Sequence, residues 1–129
     1  MAHPNVELLN KGYDAFEKGD LDTLRELFTD DIVFHTPGRS PLAGDHRGID
    51  EVFAFFGKTV ELSGGTFKID RHAVLADDEH ATVLSTATGE RDGKRLSVRT
   101  VDVFHIRDGR VTECWNFVED QYADDEFWS

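Results

Sequence analysis

Apolar residues recur at helical spacing through the first half of the chain and change to a period of two after Gly64-Gly65. Val6, Leu9, Tyr13 and Phe16 fall on one helical stripe, and Gly19 stands where a helix often ends, which predicts a first helix. Asp20 is placed to cap a short second helix whose Leu21, Leu24, Leu27 and Phe28 share a face, with Asp30-Asp31 closing it. A brief strand, Ile32 to His35, then runs into residues 36–48, where two prolines and three glycines argue for a long loop. Ile49, Val52, Phe53, Phe56 and Val60 make the stripe of a third helix, and Asp50 and Glu51 suit the positive end of its dipole.

The period of two predicts long strands near 66–76, 80–91, 94–107 and 110–119. Asp92-Gly93 and Asp108-Gly109 are signatures of two-residue type I′ turns, in which both central residues need positive φ. Helices followed by an antiparallel meander define an α+β class with the helices packed on one face of the sheet. The turns also fix register. Arg91 opposite Lys94 brings Val83 against Asp102, and Arg107 opposite Arg110 brings Asp102 against Trp115, Phe104 against Glu113 and Thr100 against Phe117. One face then collects Val83, Ser85, Ala87, Thr100, Asp102, Phe104, Trp115 and Phe117, small residues facing large aromatics, as a wall that encloses space. The other face, with His80, Val101, Val103, His105, Cys114 and Asn116, suits water or a subunit interface. The Asp77-Asp78-Glu79 turn leaves open whether Arg71 or His72 faces inward.

The chain has 129 residues, which fits a single domain over 1–129, with 120–129 an acidic, aromatic tail. Tyr122, Phe127 and Trp128 are too apolar to lie free in water, so this tail is expected to pack over a pocket mouth or a partner subunit. A net charge of −12 argues against nucleic acid and anionic membrane surfaces as partners. No basic segment followed by an apolar run opens the sequence and no stretch is long and apolar enough to span a bilayer, so a cytoplasmic location is expected. Cys114 is the single cysteine and reads as a buried structural thiol. The six histidines show no paired spacing, and neither a metal nor another cofactor is expected.

Gly19-Asp20-Leu21-Asp22, Leu27 to Asp31 and Val33-Phe34-His35 resemble the opening of ketosteroid isomerases and SnoaL-like polyketide cyclases of the NTF2-like superfamily. Val101 to Ile106 followed by Asp108-Gly109-Arg110-Val111 resembles their last two strands, and the segments 37–44 and 120–128 are similar to an uncharacterised SnoaL-like subgroup. The resemblance implies an NTF2-like cone, about three N-terminal helices on a curved, mainly antiparallel sheet around an apolar pocket, and a homodimer. In ketosteroid isomerases a carboxylate moves the proton while a tyrosine and a protonated aspartic acid hold the enolate oxygen. Matched motif by motif, Asp102 takes the place of the protonated acid and His35 that of the base. Gly12 takes the place of the tyrosine, with Tyr13 rotated about 100° away around the helix.

The catalytic candidates are therefore His35, as general base, and Asp102, as acid or orienting group. A lone carboxyl on a central strand must be protonated, paired or facing a wet cavity. Trp115, Phe117, Phe104, Val83, Phe53 and Phe56 are expected to line the pocket, with Arg39 and His46 on a loop long enough to be its lid. These residues fit three functions: a cofactor-independent isomerase, cyclase or lyase acting beside a carbonyl of an apolar substrate; a non-catalytic binding protein for a small hydrophobic molecule; and a dimeric adaptor.

Overall fold

The computed structural model describes residues 3–129. α1 (Pro4–Lys18) opens with the His3 side chain accepting from the Asn5 backbone N–H and ends at Gly19, whose φ of 70° is left-handed, as the sequence predicts. α2 (Leu21–Leu27) begins at Asp20, whose carboxylate accepts from the Thr23 N–H. It is shorter than expected, because Phe28 already has extended backbone and β1 runs over Phe28–Thr36, well beyond the predicted four residues.

The predicted loop of residues 36–48 is a hairpin instead. β2 (Gly44–Arg47) pairs antiparallel with the end of β1, placing His35 opposite Asp45 and Phe34 opposite His46. Four residues with three polar side chains carry no alternation, so this edge strand left no signal in the sequence. α3 (Ile49–Ser63) follows, then β3 (Lys68–Ala76), β4 (His80–Arg91), β5 (Lys94–Arg107) and β6 (Arg110–Val118). Asp92-Gly93 and Asp108-Gly109 turn with positive φ at all four residues, as type I′ geometry demands. The tail is a fourth helix, α4 (Gln121–Trp128), capped by the Asp120 carboxylate accepting from the Ala123 N–H.

The fold is α+β: one six-stranded mixed sheet in the order β2-β1-β6-β5-β4-β3, curved around the helices. Among the described residues only the β1–β6 pair is parallel. The β4–β5 register matches the expected one, with Val83 opposite Asp102 and Ser85 opposite Thr100. The β5–β6 register does not. A bulge between His105 and Ile106 leaves Thr112 without a partner, so Asp102 faces Asn116, Phe104 faces Cys114 and Trp115 faces Val103. A slip of one residue turns every side chain beyond it to the other face. Cys114, Asn116 and Val118 therefore point inward and Trp115 outward, the reverse of the expected arrangement.

Two apolar clusters fill the inside. The larger joins α1, α2, α3 and the sheet through residues such as Leu24, Ile32, Val52, Val83 and Phe104, while the smaller holds Leu42, Leu96, Val98, Phe127 and Trp128. α4 belongs to the second cluster, with Phe127 and Trp128 buried. Gly89 makes room for it, since a Cβ there would stand 3.1 Å from the Phe127 ring. The Arg91 guanidinium donates to the Phe127 carbonyl and to the Ser129 carbonyl oxygen, pinning the helix end. No helix among the described residues is long and apolar enough to cross a membrane.

Candidate functional site

Between the inner sheet face and the helices lies a cavity of about 160 Å³. Its wall is mostly aromatic and aliphatic, including Phe16, Phe28, Phe34, Phe55, Phe56 and Phe104. Phe56 meets Phe16, Phe34 and Phe28 edge-on with ring centroids 5.1, 5.3 and 6.3 Å away, so the rings brace one another as one wall.

Polar groups meet on one side of this wall. Tyr13 Oη donates to Asp102 Oδ2 at 2.6 Å, and Asn116 Nδ2 donates to Asp102 Oδ1 at 2.8 Å. The Thr36 hydroxyl donates to Asn116 Oδ1 at 3.0 Å, which fixes the amide with its N–H groups toward the carboxylate. Tyr13, Thr36, Asp102 and Asn116 all border the cavity. Burial pushes the Asp102 carboxyl above the usual aspartate value, although the bonds from Tyr13 and Asn116 pull the other way. Burial, reinforced by the Asp102 charge, holds the Tyr13 phenol well above its ordinary value and thus protonated. The Cys114 thiol, also at the cavity wall, is raised by burial and stays a neutral, inert group.

Tyr13 thus reaches the position that motif matching gave to Gly12. Both residues border the cavity, because the buried arc of a packed helix is wider than the 100° between neighbours. Tyr13 is held from behind as well. The Arg71 guanidinium lies 5.6 Å from its ring centroid and bonds the Asn10 carbonyl at 2.9 Å and the Asp14 carboxylate at 2.5 Å. Arg71 therefore turns toward α1, whereas His72 sits at a β3 bulge and is exposed.

The structure does not bring His35 to the cavity. His35 lies on the outward side of β1, its Nδ1 2.7 Å from Asp45 and its Nε2 2.5 Å from Glu113, with its ring stacked 5.1 Å from Trp115. Burial lowers its pKa, but the two carboxylates outweigh this and the net direction is upward. Trp115 is part of the same outer cluster, with the His105 ring edge-on at 4.7 Å. The bulge that moved Trp115 outward thus took the expected platform from the cavity and gave it to the histidines.

Among the other candidates, Phe104 and Phe56 border the cavity, and Phe117 touches its rim while remaining 52% exposed. Val83 is fully buried beneath the wall. Phe53 turns toward α2, where the Arg25 guanidinium covers its ring at 5.1 Å. Arg39 is exposed and meets α4 through its backbone N–H, which donates to Asp125 Oδ1. His46 stacks on Phe55 at 4.3 Å and bonds the Leu42 carbonyl, so it supports the wall from outside. The sequence did not place Tyr13, Asn116 or Asp124 at this cavity; of the aromatic tail, expected over a pocket mouth or a partner subunit, Trp128 borders the cavity and Tyr122 is exposed. Among the described residues no group of three His, Cys, Asp or Glu is arranged to hold a metal ion.

Residues 9–114 match the SnoaL-like domain model, and the chain belongs to that family. An uncharacterized protein of Mycobacterium tuberculosis is 31% identical over 126 residues, 97% of this chain and 96% of that protein. The solved structure of Bal32a from a soil-derived mobile gene cassette is similar at 44% identity with a TM-score of 0.94, covering 98% of this chain and 97% of that one. An NTF2-like protein from Burkholderia xenovorans shares 25% identity with a TM-score of 0.85, over 98% and 96% of the two chains.

Proposed function

We propose that this chain binds a small, mainly apolar molecule in the cavity and moves a proton beside a carbonyl of that molecule without a cofactor, as an isomerase, cyclase or lyase. The observation that supports this reading is Asp102. It is one carboxyl on an aromatic wall, with a phenol and an amide on its two oxygens. A carboxylate whose pKa is raised by burial is a stronger base than an ordinary aspartate, and its conjugate acid can return the proton at another atom. A substrate oxygen would find a donor in the second N–H of the Asn116 amide, and the Tyr13 O–H, given to Asp102 while that carboxyl is ionised, is freed for it once Asp102 takes the proton. In this reading Asp102 takes the role first given to His35, whose ring nitrogens face Asp45 and Glu113 instead.

The cavity size limits the ligand. An engineered protein cavity of roughly 150 Å³ takes a benzene molecule. At about 160 Å³ the present cavity suits one ring with short substituents rather than a fused polycycle. Turnover assays with one-ring enolisable ketones, wild type against Asp102→Asn, test the reading: loss of turnover with retained binding supports it. Binding without turnover in the wild type favours the second reading, a non-catalytic carrier using the same apolar walls.

A homodimer through the outer sheet face belongs to the same proposal. Val101, Val103, Trp115 and Phe117 share that face, Phe117 being 52% exposed.

A further inference from the structure

The cavity has a second carboxyl. Its walls are drawn from both apolar clusters: Phe34, Phe104 and Cys114 come from the larger, Leu42 and Trp128 from the smaller. Asp102 sits at the first, among Tyr13, Phe104 and Cys114. Asp124 borders the cavity at the second, one turn before Trp128 on α4. Burial raises its pKa, hydrogen bonding with Trp128 lowers it, the neighbouring Asp125 raises it again and Gln121 lowers it, for a net upward direction. A carboxylate offers roughly four acceptor positions, and the Gln121 amide gives an N–H to Asp125 Oδ1 at 3.0 Å, so positions on Asp124 remain open to a ligand.

We propose that Asp124 is a specificity-determining residue: it accepts a hydrogen bond from a hydroxyl group carried by the ligand at the end opposite the one that meets Asp102. The substrate class is thereby narrowed to a one-ring molecule with a carbonyl at one end and an alcohol or phenol at the other. This rests on the pocket reading above. An apolar cavity gains little affinity from a hydroxyl unless an acceptor waits for it, because the hydroxyl gives up its water on entry. Trp128 and Leu42 add apolar surface to the cavity wall that Asp124 borders, and apolar surroundings strengthen a bond to an ionised acceptor.

The experiment compares acetophenone with 4-hydroxyacetophenone by isothermal titration calorimetry on the full chain. The wild type is expected to prefer the hydroxylated probe by roughly tenfold, the ordinary return on one charge-assisted bond. Asp124→Leu should abolish the preference while binding acetophenone no more weakly. Asp124→Asn, which keeps the shape and a weaker acceptor, should reduce it. The wild-type preference should also decline as pH falls through the carboxyl range. Equal affinity of the wild type for both probes, or a preference that survives Asp124→Leu, overturns the assignment. Should Asp124→Leu not fold, a preference unchanged in Asp124→Asn and flat with pH overturns it equally. If neither probe binds the wild type, the pocket reading itself falls and the assignment of Asp124 with it.

Discussion

Tyr13 and Asp102, 89 positions apart in sequence, are joined by a hydrogen bond of 2.6 Å from the phenol of α1 to the carboxylate of β5. The bond ties the first helix to the centre of the sheet at the cavity wall, so it bears on stability and on chemistry together. Tyr13→Phe leaves the Asp102 Oδ2 acceptor buried without its donor. A loss of about 1–3 kcal/mol in urea unfolding is expected, along with lower turnover. A variant as stable as the wild type would show that water replaces the phenol there.

Asp102→Asn separates chemistry from folding. The amide preserves shape, its oxygen accepting from Asn116 and its N–H donating to the Tyr13 oxygen, so ligand affinity should hold, while proton transfer should fall by roughly 10²–10⁴-fold. Wild-type turnover should rise with pH about a midpoint above the ordinary aspartate value, because the ionised form is the base. Turnover by Asp102→Asn equal to the wild type would remove the proposed mechanism.

The same residue makes stability depend on pH in a defined direction. The folded pKa of Asp102 lies above its unfolded value, so between the two the unfolded chain has released a proton that the folded chain still holds. Its contribution to stability therefore falls as pH rises from the unfolded value through the folded one. Thermal unfolding across the acid range should show Asp102→Asn gaining on the wild type over that window. A constant difference between the two would contradict it.

His35 shifts in the same direction for a different reason, since here the fold favours the charged, protonated form. Its folded pKa is raised net by Glu113 and Asp45, so its contribution is complete below the unfolded histidine value and is lost as pH rises through the folded one. His35→Gln should flatten that part of the stability profile and leave turnover near the wild-type level. A loss of turnover as deep as that of Asp102→Asn would return His35 to the role of base.

Val101→Glu tests the outer face. Static light scattering at micromolar concentration is expected to report a dimer for the wild type and a monomer for the variant, with the cavity unaffected. A wild-type monomer under those conditions would end the interface proposal.

By itself the sequence determined the α+β class, the caps at Asp20 and Gly19, both Asp-Gly turns and the β4–β5 register. Each depends on interactions within a few residues or on a period that local sterics impose. It also singled out Asp102, since a carboxyl between Val101 and Val103 on a long strand is conspicuous wherever the strand lies. Only the tertiary structure decided the partners of that carboxyl. The Thr112 bulge is one unpaired residue with no distinguishing sequence signal, yet it exchanged Trp115 for Asn116 at the cavity. The packing of α1 on the sheet likewise brought Tyr13 to Asp102, and the docking of α4 brought Asp124 and Trp128 to the cavity wall. These outcomes depend on how packed elements lie against one another, and no local pattern records that.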